Sequence, residues 1–189
     1  MFIAIDGETT GKDITKGSAL IQIGAAVYRD GQLHSTHLTF NPKDPDMVWS
    51  KEAEEVHKIS LEQIKNAELD ASQVDDFLYD WFIKNEVDPK DKYSNVPVGW
   101  NVASFDMPYI KKYLPKTFKL FSYRTVDLNA VCLALDGKKG HSANKWKEAA
   151  KKYARTICPE REGYGEHNAE WDSVMSLGCF NFLRKGIAE

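Results

Sequence analysis

Residues 2–28 read FIAIDGETTGKDITKGSALIQIGAAVY, two apolar runs separated by a short polar loop. Short apolar runs between turn-forming residues are typical of buried strands, so we predict strands at 2–6 and 19–28. Asp30-Gly31 follows the second run and favours a tight hairpin turn, because both central residues of that turn need positive φ. A third strand is predicted at about 33–40. The chain is therefore expected to open with a strand and an antiparallel hairpin.

The rest of the sequence alternates helical and strand patterns. Its clearest amphipathic helix is predicted at 72–84, where apolar side chains recur at helical spacing. Ser104 is expected to cap one helix, and Gly137 to end another. The other predicted elements are helices at about 50–56, from 60 onward, and at 104–114, 127–136, 142–153 and 169–184, and strands near 96–100 and 121–126. Antiparallel strands followed by strands that alternate with helices predict an α/β fold, one domain over residues 1–189 with a mixed sheet flanked by helices.

The composition is that of an ordinary globular protein: 189 residues, 42% hydrophobic and 28% charged, with a net charge of -3. This charge argues against a strongly basic coat for DNA. No apolar run is long enough to predict a membrane span, and the first residues lack the basic start of a signal peptide. Cys132, Cys158 and Cys179 form no paired motif, so we expect buried thiols in a reducing cytoplasm.

Two carboxylates, Asp6 and Glu8, stand at the end of the first predicted strand. Residues two apart in a strand share a face, so these groups are expected to lie side by side and to repel one another. A hard divalent cation would take oxygen ligands from both and remove the repulsion. By itself such a pair more often marks two solvated carboxylates at a strand end. The longer string that contains it, Asp6-Gly-Glu-Thr-Thr-Gly11, is far less common by chance.

This string resembles the first motif of the DEDDh 3′–5′ exonucleases, the family of the proofreading subunit of bacterial DNA polymerase III, RNase T and oligoribonuclease. Later segments are similar to the family's other segments, in the family's order and over residues 2–172. They are Ala19–Val27, Val56-His57-Lys58-Ile59, Val98-Gly99-Trp100-Asn101 with Phe105-Asp106, and His167-Asn168-Ala169-Glu170-Trp171-Asp172. Each later motif is weak alone, and their joint order and spacing make the resemblance specific.

The resemblance implies an RNase H-like fold with a mixed five-stranded sheet, and a metal-dependent 3′–5′ exonuclease that releases nucleoside 5′-monophosphates. Asp6, Glu8, Asp106 and Asp172 match the metal ligands, and His167 matches the general base. Hydrolysis of a phosphodiester with two cations suits such a set, because one cation activates water and the other holds the leaving 3′ oxygen. Two Mg²⁺ or Mn²⁺ ions are expected, since all four ligands offer hard oxygen donors. The ordinary pKa of histidine suits a base at neutral pH.

The resemblance also implies which residues touch the substrate. Near the 3′-OH of the terminal nucleotide these are Thr9 and Thr10. Around its base they are Val56, His57 and Phe105. Asn101 would help to position the strand or the site. An aromatic wall would favour an unpaired base by stacking. Core packing is the alternative for Val56 and Phe105, and a locally satisfied histidine at a helix end is the alternative for His57.

Four positions depart from the family pattern. Gly7 stands between the two acids where an apolar residue is common, and it is expected to loosen the strand end. Gln22 replaces a frequent glutamate, Lys58 a glycine, and Trp100 a histidine. Residues 138–161 carry a net charge of +6, from eight basic and two acidic residues. That charge fits either contacts with phosphates or the solvated face of an amphipathic helix.

The sequence leaves the substrate open between DNA and RNA, and the role open among proofreading, DNA repair and RNA turnover. The expected partner is the 3′ end of a single strand. A homodimer, or a protein of replication or repair, is a further possibility, and no membrane is expected. Two alternatives to an exonuclease stay open: an endonuclease of the same fold, and a nucleic-acid-binding or polymerase-associated module with vestigial catalysis.

Overall fold

The computed structural model describes residues 1–136 and 142–188. Its strands are β1 (Phe2–Thr9), β2 (Leu20–Arg29), β3 (Gln32–Thr39), β4 (Val96–Gly99) and β5 (Val126–Asp127). They form one five-stranded sheet with the order β3-β2-β1-β4-β5. The pairs β1–β2 and β2–β3 are antiparallel, whereas β1–β4 and β4–β5 are parallel. The RNase H-like mixed sheet predicted from the sequence is confirmed.

Helices cover both faces of this sheet. They are α1 (Lys51–His57), α2 (Leu61–Lys65), α3 (Ala71–Lys84), α4 (Asp106–Tyr113), α5 (Pro115–Phe118), α6 (Leu128–Ala134), α7 (Ala143–Ile157) and α8 (Ala169–Ala188), with short 3-10 turns at Ile14–Lys16 and Lys92–Ser94. Ser50, Ser60 and Ser142 cap α1, α2 and α7 as predicted. No helix in the described residues combines the length and apolar character needed to cross a membrane.

Two apolar cores follow from the alternation of side chains along the central strand. Ile3 and Ile5 point to the face covered by α3 and α4. Ala4 points to the opposite face, which α6, α7 and α8 cover. Asp6 and Glu8 have the same parity as Ala4, so they lie on the α8 side of the sheet.

The hairpin forms as expected. Asp30 and Gly31 both have positive φ, 52° and 75°, at the turn between β2 and β3. The three cysteines, Cys132, Cys158 and Cys179, are buried free thiols, so their predicted burial is confirmed.

Two expectations were wrong in detail, and one short helix was not predicted. The strand predicted at 121–126 is only Val126–Asp127, because Phe121 packs into the core from an irregular segment in which Ser122 N–H donates to the Asn95 carbonyl. The segment Pro115–Phe118 is a separate short helix, with proline in its first turn where its missing N–H costs nothing.

Ser104 does not cap the helix that follows it. That helix, α4, begins at Asp106 without a side-chain cap, and the Ser104 hydroxyl instead donates to the Asn101 carbonyl in the preceding turn. Gly137, expected to end α6, lies outside the described residues, as do residues 138–141 of the basic segment.

Candidate active site

The site begins at the carboxyl end of β1. Glu8 is buried and Asp6 is half-buried, both on the α8 side of the sheet. Asp6 lies opposite Gly24 and Glu8 opposite Gln22 in the β1–β2 register. The parity argument made from the sequence therefore holds, because both acids lie on one face of the strand.

Asp106 reaches the same place from the other side of β1. It is the first residue of α4 and is buried, and its Oδ1 accepts the backbone N–H of Gly7 at 3.0 Å. That N–H is free for a side chain because β4 pairs only with Phe2–Ala4 and then ends. Gly7 therefore does not loosen the strand end as expected: it lies within β1 and is held by Asp106.

The third segment of the site is the start of α8 together with the residues just before it. Asn168 caps this helix by accepting the N–H of Trp171 at 3.1 Å. Asp172 lies one turn into α8, and its Oδ2 accepts the backbone N–H of His167 at 2.7 Å. His167 is exposed and has a φ of 67°, in the left-handed region that non-glycine residues seldom occupy. This conformation turns its amide toward Asp172 and fixes the backbone of the connection.

The three segments meet. One ligand atom each from Glu8, His167 and Asp172 lie within 4.8 Å of one another. Asp6 lies close enough to Glu8, Asp106 and Asp172 for their charges to act on it. The structure thus brings together all five residues that the sequence predicted for metal binding and catalysis: Asp6, Glu8, Asp106, His167 and Asp172.

Crowding and burial disfavour the ionised form of these acids. Burial, followed by the charges of Asp106, Asp172 and Glu8, raises the pKa of Asp6 well above its usual range. Burial and the charges of Asp172 and Asp106 raise the pKa of Glu8 to about 8. Burial also raises the pKa of Asp106 and that of Asp172 to about 7. Four carboxyl groups in this state share protons at neutral pH unless positive charge is supplied.

The donor set fits divalent cations. Hard carboxylate oxygens are what Mg²⁺ and Mn²⁺ prefer, and a bound cation would lower these pKa values, which burial and then the neighbouring charges raise. Asp6, Glu8, Asp106 and Asp172 would hold the metal. His167 lies at the edge of the group with an exposed imidazole.

A fifth acid, Asp127, was missed from the sequence. It ends β5, caps α6 by accepting the Asn129 N–H at 2.8 Å, and lies close enough to Asp106 to raise its pKa. A signal was present, since an acid at the carboxyl end of a strand parallel to the central strands lies at the same edge of the sheet.

His57 faces a polar cleft beside the acids. The cleft holds about 360 Å³ and is lined by Gln22, His57, Ile59, Arg161 and residues 163–168. The Nδ1 atom of His57 accepts the Ile59 N–H at 3.0 Å, which leaves the proton of the neutral ring on Nε2. Nε2 is fully buried, and a hydrogen bond with the Thr9 backbone acts on the ring. Burial lowers the pKa of His57, and a charge on His167 would lower it further.

The other predicted substrate contacts are placed unevenly. Thr10 is fully buried, and its hydroxyl donates to the Val48 carbonyl and accepts the Ala19 N–H, so its side chain joins loops and does not line the site. Thr9 is buried, with its hydroxyl on the Gly11 carbonyl. Val56 is 48% exposed on α1, just before His57.

The turn after β4 carries the remaining two. Asn101 is exposed in the left-handed region (φ 58°), and its Oδ1 accepts the Asn129 side-chain amide at 2.9 Å. Phe105 is half-buried and packs on Tyr109 with ring centroids 5.4 Å apart. Phe105 directly precedes Asp106 in the chain, and Asn101 lies five residues before it.

Gln22 has a role that the sequence did not suggest. Its Oε1 accepts the buried N–H of Ala169 at 3.1 Å, and its Nε2 donates to Thr39 at 2.7 Å. It therefore ties β2 and β3 to the first residue of α8, two residues after His167. Lys58 ends α1 with a φ of 61°, the conformation in which a glycine is usual.

Comparison with known proteins agrees with this geometry. A family model described as Exonuclease (RNase_T) matches residues 3–180. No curated protein gives a significant match. The chain is similar in structure to the zinc-bound complex of E. coli ExoI with single-stranded DNA, with a TM-score of 0.65 and 15% identity. That similarity covers 97% of this chain and 40% of ExoI.

A second similar structure is described as the 3′-end-specific recognition of a histone mRNA stem-loop by a 3′-exonuclease. Its TM-score is 0.61 at 15% identity, over 98% of this chain and 82% of that one. A third similar structure, a full-length 3′-exonuclease, has a TM-score of 0.60 at 13% identity. The similarity covers 99% of this chain and 60% of that one. At these identities the likeness shows a shared fold, and this chain spans about 40% of the length of the ExoI chain.

Proposed function

This chain belongs to the exonuclease family, and from that premise we propose that it is a metal-dependent 3′–5′ exonuclease of the DEDDh type. It hydrolyses the terminal phosphodiester bond of a DNA or RNA strand and releases a nucleoside 5′-monophosphate. The observation that carries the proposal is the approach of Glu8, His167 and Asp172, whose ligand atoms lie within 4.8 Å of one another. These residues come from opposite ends of the sequence, and no structural need of the fold calls for buried acids in such a cluster.

Metal ions account for the acids. Two Mg²⁺ or Mn²⁺ ions held by Asp6, Glu8, Asp106 and Asp172 would supply positive charge at the phosphate and make bound water more acidic. The raised pKa values of Asp6, Glu8, Asp106 and Asp172 support this role, because each carboxyl group would gain from a nearby cation.

His167 acts as the general base. Its imidazole takes a proton from the water that attacks phosphorus, while the bond from phosphorus to the 3′ oxygen of the preceding nucleotide breaks. That oxygen leaves on the shortened strand and is protonated from solvent. Two features support this role: the ring is exposed, and the backbone N–H on Asp172 holds the residue in place while the side chain stays free to rotate.

The terminal nucleotide occupies the cleft that His57 and His167 line. Its volume, about 360 Å³, is in the range of small-molecule sites. The Nε2 edge of His57 stays inside the protein beside the Thr9 backbone, so this residue would shape the wall of the cleft. Thr9, Val56 and Phe105 stay proposed contacts of the terminal nucleotide, and Asn101 a proposed contact of the strand. Thr10 would act by holding the loop that carries Thr9.

A product assay tests the proposal. The protein is incubated with 3′-labelled single-stranded DNA, duplex DNA and short RNA, with Mg²⁺, with Mn²⁺ and with EDTA. We expect labelled mononucleotide at the earliest times, only with metal. Asp172→Asn should abolish it, and His167→Ala should lower turnover by about 10²- to 10⁴-fold with metal binding retained. Lys84→Ala, on the surface of α3, is the matched control.

The same assay separates the alternatives. Internal fragments before any mononucleotide would indicate an endonuclease of the same fold. Binding of a single strand without cleavage in either metal would indicate a vestigial site. Full activity of the His167→Ala protein between pH 6 and 8 would refute the assignment of the base. The preferred substrate in this assay also decides between DNA and RNA.

A further inference from the structure

Trp100 and Lys147 form a contact that neither the fold nor the catalytic residues explain. Trp100 directly follows β4, and Lys147 lies on α7 with its ammonium 4.8 Å from the centre of the Trp100 ring. Both side chains are half-buried. Lys147 also reaches the Asn129 side chain at 3.5 Å, and Asn129 donates to Asn101 at 2.9 Å. A cation, an indole and two amides thus meet at one place on the surface.

This place adjoins the acidic site. Trp100 and Asn101 follow β4, and Asn129 lies two residues after Asp127 at the end of β5. These strands are parallel to β1, so their carboxyl ends share the sheet edge that holds Glu8. Trp100 and Asp172 also line the same small cavity of about 40 Å³. The Trp100 indole therefore lies in the immediate neighbourhood of Asp172, a proposed metal ligand.

The direction of the strand follows from the two sides of the site. The cleft proposed for the terminal nucleotide contains Gln22 of β2 and His57, on the hairpin side of β1. The phosphate to be cut lies at the acids. The rest of the strand must leave on the opposite side, across the ends of β4 and β5, where Trp100 stands.

Two further cations lie on the same face of α7 as Lys147. Lys147, Lys151 and Arg155 recur every four residues on α7, so they share one face of the helix. Lys151 lies 3.6 Å from Glu166 and acts on the pKa of Asp172. Arg155 pairs with Glu160 at 3.2 Å, so both of these cations already face acids of this chain. Lys147 is therefore the cation of this face that is placed to meet a phosphate beside Trp100.

We propose that Trp100 and Lys147 seat the nucleotide on the 5′ side of the scissile phosphate, with its base stacked on the indole and its phosphate near the ammonium. The inference rests on the proposed function, and it adds a specificity-determining residue that sequence resemblance did not supply, since Trp100 departs from the family pattern. Stacking on an aromatic ring requires an unpaired base, so the seat selects a single strand at the second position from the 3′ end.

A purely structural role is the competing explanation, because Trp100 also packs against the core on the α8 face. The two explanations differ in which substrates a substitution of Trp100 would affect. A structural tryptophan affects all substrates alike. A stacking tryptophan affects only substrates that carry a base at the second position.

The test pairs two oligonucleotides with four proteins. The single-stranded DNAs are identical except that the penultimate nucleotide carries either thymine or no base. We expect the wild-type protein to prefer the thymine substrate by about 5- to 100-fold in kcat/KM, the range that corresponds to one base stack. Trp100→Ala should remove most of this preference, and Trp100→Phe, which keeps a ring, should restore much of it.

Lys147→Ala should reduce the salt dependence. The slope of log kcat/KM against log salt concentration is expected to fall by about 0.7, the value for one phosphate contact on a single strand. Lys152→Ala removes the same charge from another face of α7, where the side chain is exposed, and should change neither the slope nor the base preference.

Each result decides something. A wild-type protein that cleaves both DNAs equally, or a Trp100→Ala protein that keeps the full preference, overturns the seat while leaving the exonuclease proposal intact. If the protein cleaves neither DNA, the corresponding pair of RNA strands is used; if it cleaves neither RNA, the exonuclease proposal fails, and the same comparison is made on dissociation constants in EDTA. A base preference in binding that Trp100→Ala removes would then keep the seat, and its absence would overturn both.

Discussion

Replacement of Glu8 by glutamine is expected to stabilise the metal-free protein while it abolishes cleavage. Burial and the charges of Asp172 and Asp106 raise the pKa of Glu8 to about 8, whereas in the unfolded chain it keeps its ordinary value near 4.5. An acid with a raised pKa in the folded state contributes stability that is fully present below the unfolded pKa and is lost as the pH rises toward 8. At pH 8 the wild-type protein therefore carries an unfavourable buried charge that Glu8→Gln removes.

The magnitude follows from the pKa change. A rise in the pKa of Glu8 from 4.5 to about 8 lowers the free energy of unfolding at high pH by at most about 5 kcal/mol. The amide that replaces the carboxylate must also leave water, although it can donate to Asp172 beside it. We therefore expect the free energy of unfolding of Glu8→Gln to exceed that of the wild-type protein by about 1–3 kcal/mol at pH 8, with little difference at pH 5.

Urea denaturation in EDTA at pH 5, 6.5 and 8 measures this gain. Added Mg²⁺ should stabilise the wild-type protein more than Glu8→Gln, because ligand binding stabilises only a fold that holds the ligand. A variant less stable than wild type at pH 8 in EDTA, or a difference that does not grow with pH, would refute the electrostatic reasoning.

Asp44→Asn is the control with the opposite sign. Lys112 and Tyr113 donate to the Asp44 carboxylate at 2.8 and 2.6 Å and hold its pKa at about 2. Removing this charge should cost about 1–2 kcal/mol at pH 7, since a lowered pKa stabilises the fold above the unfolded value. The loss should fade as the pH falls from 3.8 through about 2, and nuclease activity at neutral pH should persist.

Three further substitutions test the frame around the site. Lys58→Gly should raise the free energy of unfolding by about 1 kcal/mol, because the residue has a φ of 61°; an unchanged or lower value would contradict this. Gly24→Ala should cost about 3 kcal/mol or more, since its Cβ would lie 1.9 Å from the Ala169 carbonyl oxygen; a stable, active variant would disprove so close an approach. Gln22→Met should cost about 1–3 kcal/mol by leaving the Ala169 N–H unpaired; equal stability in urea would argue against that bond.

Sequence reasoning placed Asp6 and Glu8 well because the rule involved is local. A strand repeats every two residues, so two acids two apart share a face in any sheet that forms. Asp172 and His167 are different, because no periodicity states where a distant helix docks. Their position depends on Gly24, whose missing side chain lets the start of α8 approach β2. Here the resemblance to a family supplied what local rules could not.

Local rules failed where tertiary contacts replace regular structure. The segment at 121–126 has the aromatic and β-branched residues typical of a strand, yet only Val126 and Asp127 pair with β4. The segment is held by Asn95, whose side chain donates to the Leu120 and Asp88 carbonyls. Asp127 was assigned to the start of a helix for this reason, and its place beside Asp106 was missed.

The short pairing of β4 with β1 makes the site possible. β4 pairs with Phe2–Ala4 and ends, so the edge of β1 beyond Ala4 has backbone groups that no strand satisfies. Asp106 fills this gap by accepting the Gly7 N–H, and it thereby joins a helix from one face of the sheet to acids on the other. A Cβ at position 7 would lie 2.8 Å from a Leu20 methyl and 3.4 Å from Asp106 Oδ1. A larger residue between the two acids would therefore require the Leu20 methyl to move, whereas its contact with Asp106 would be an ordinary one. The close approach of Asp106 to β1 thus rests on the Gly7 N–H, which a residue with a side chain would also offer.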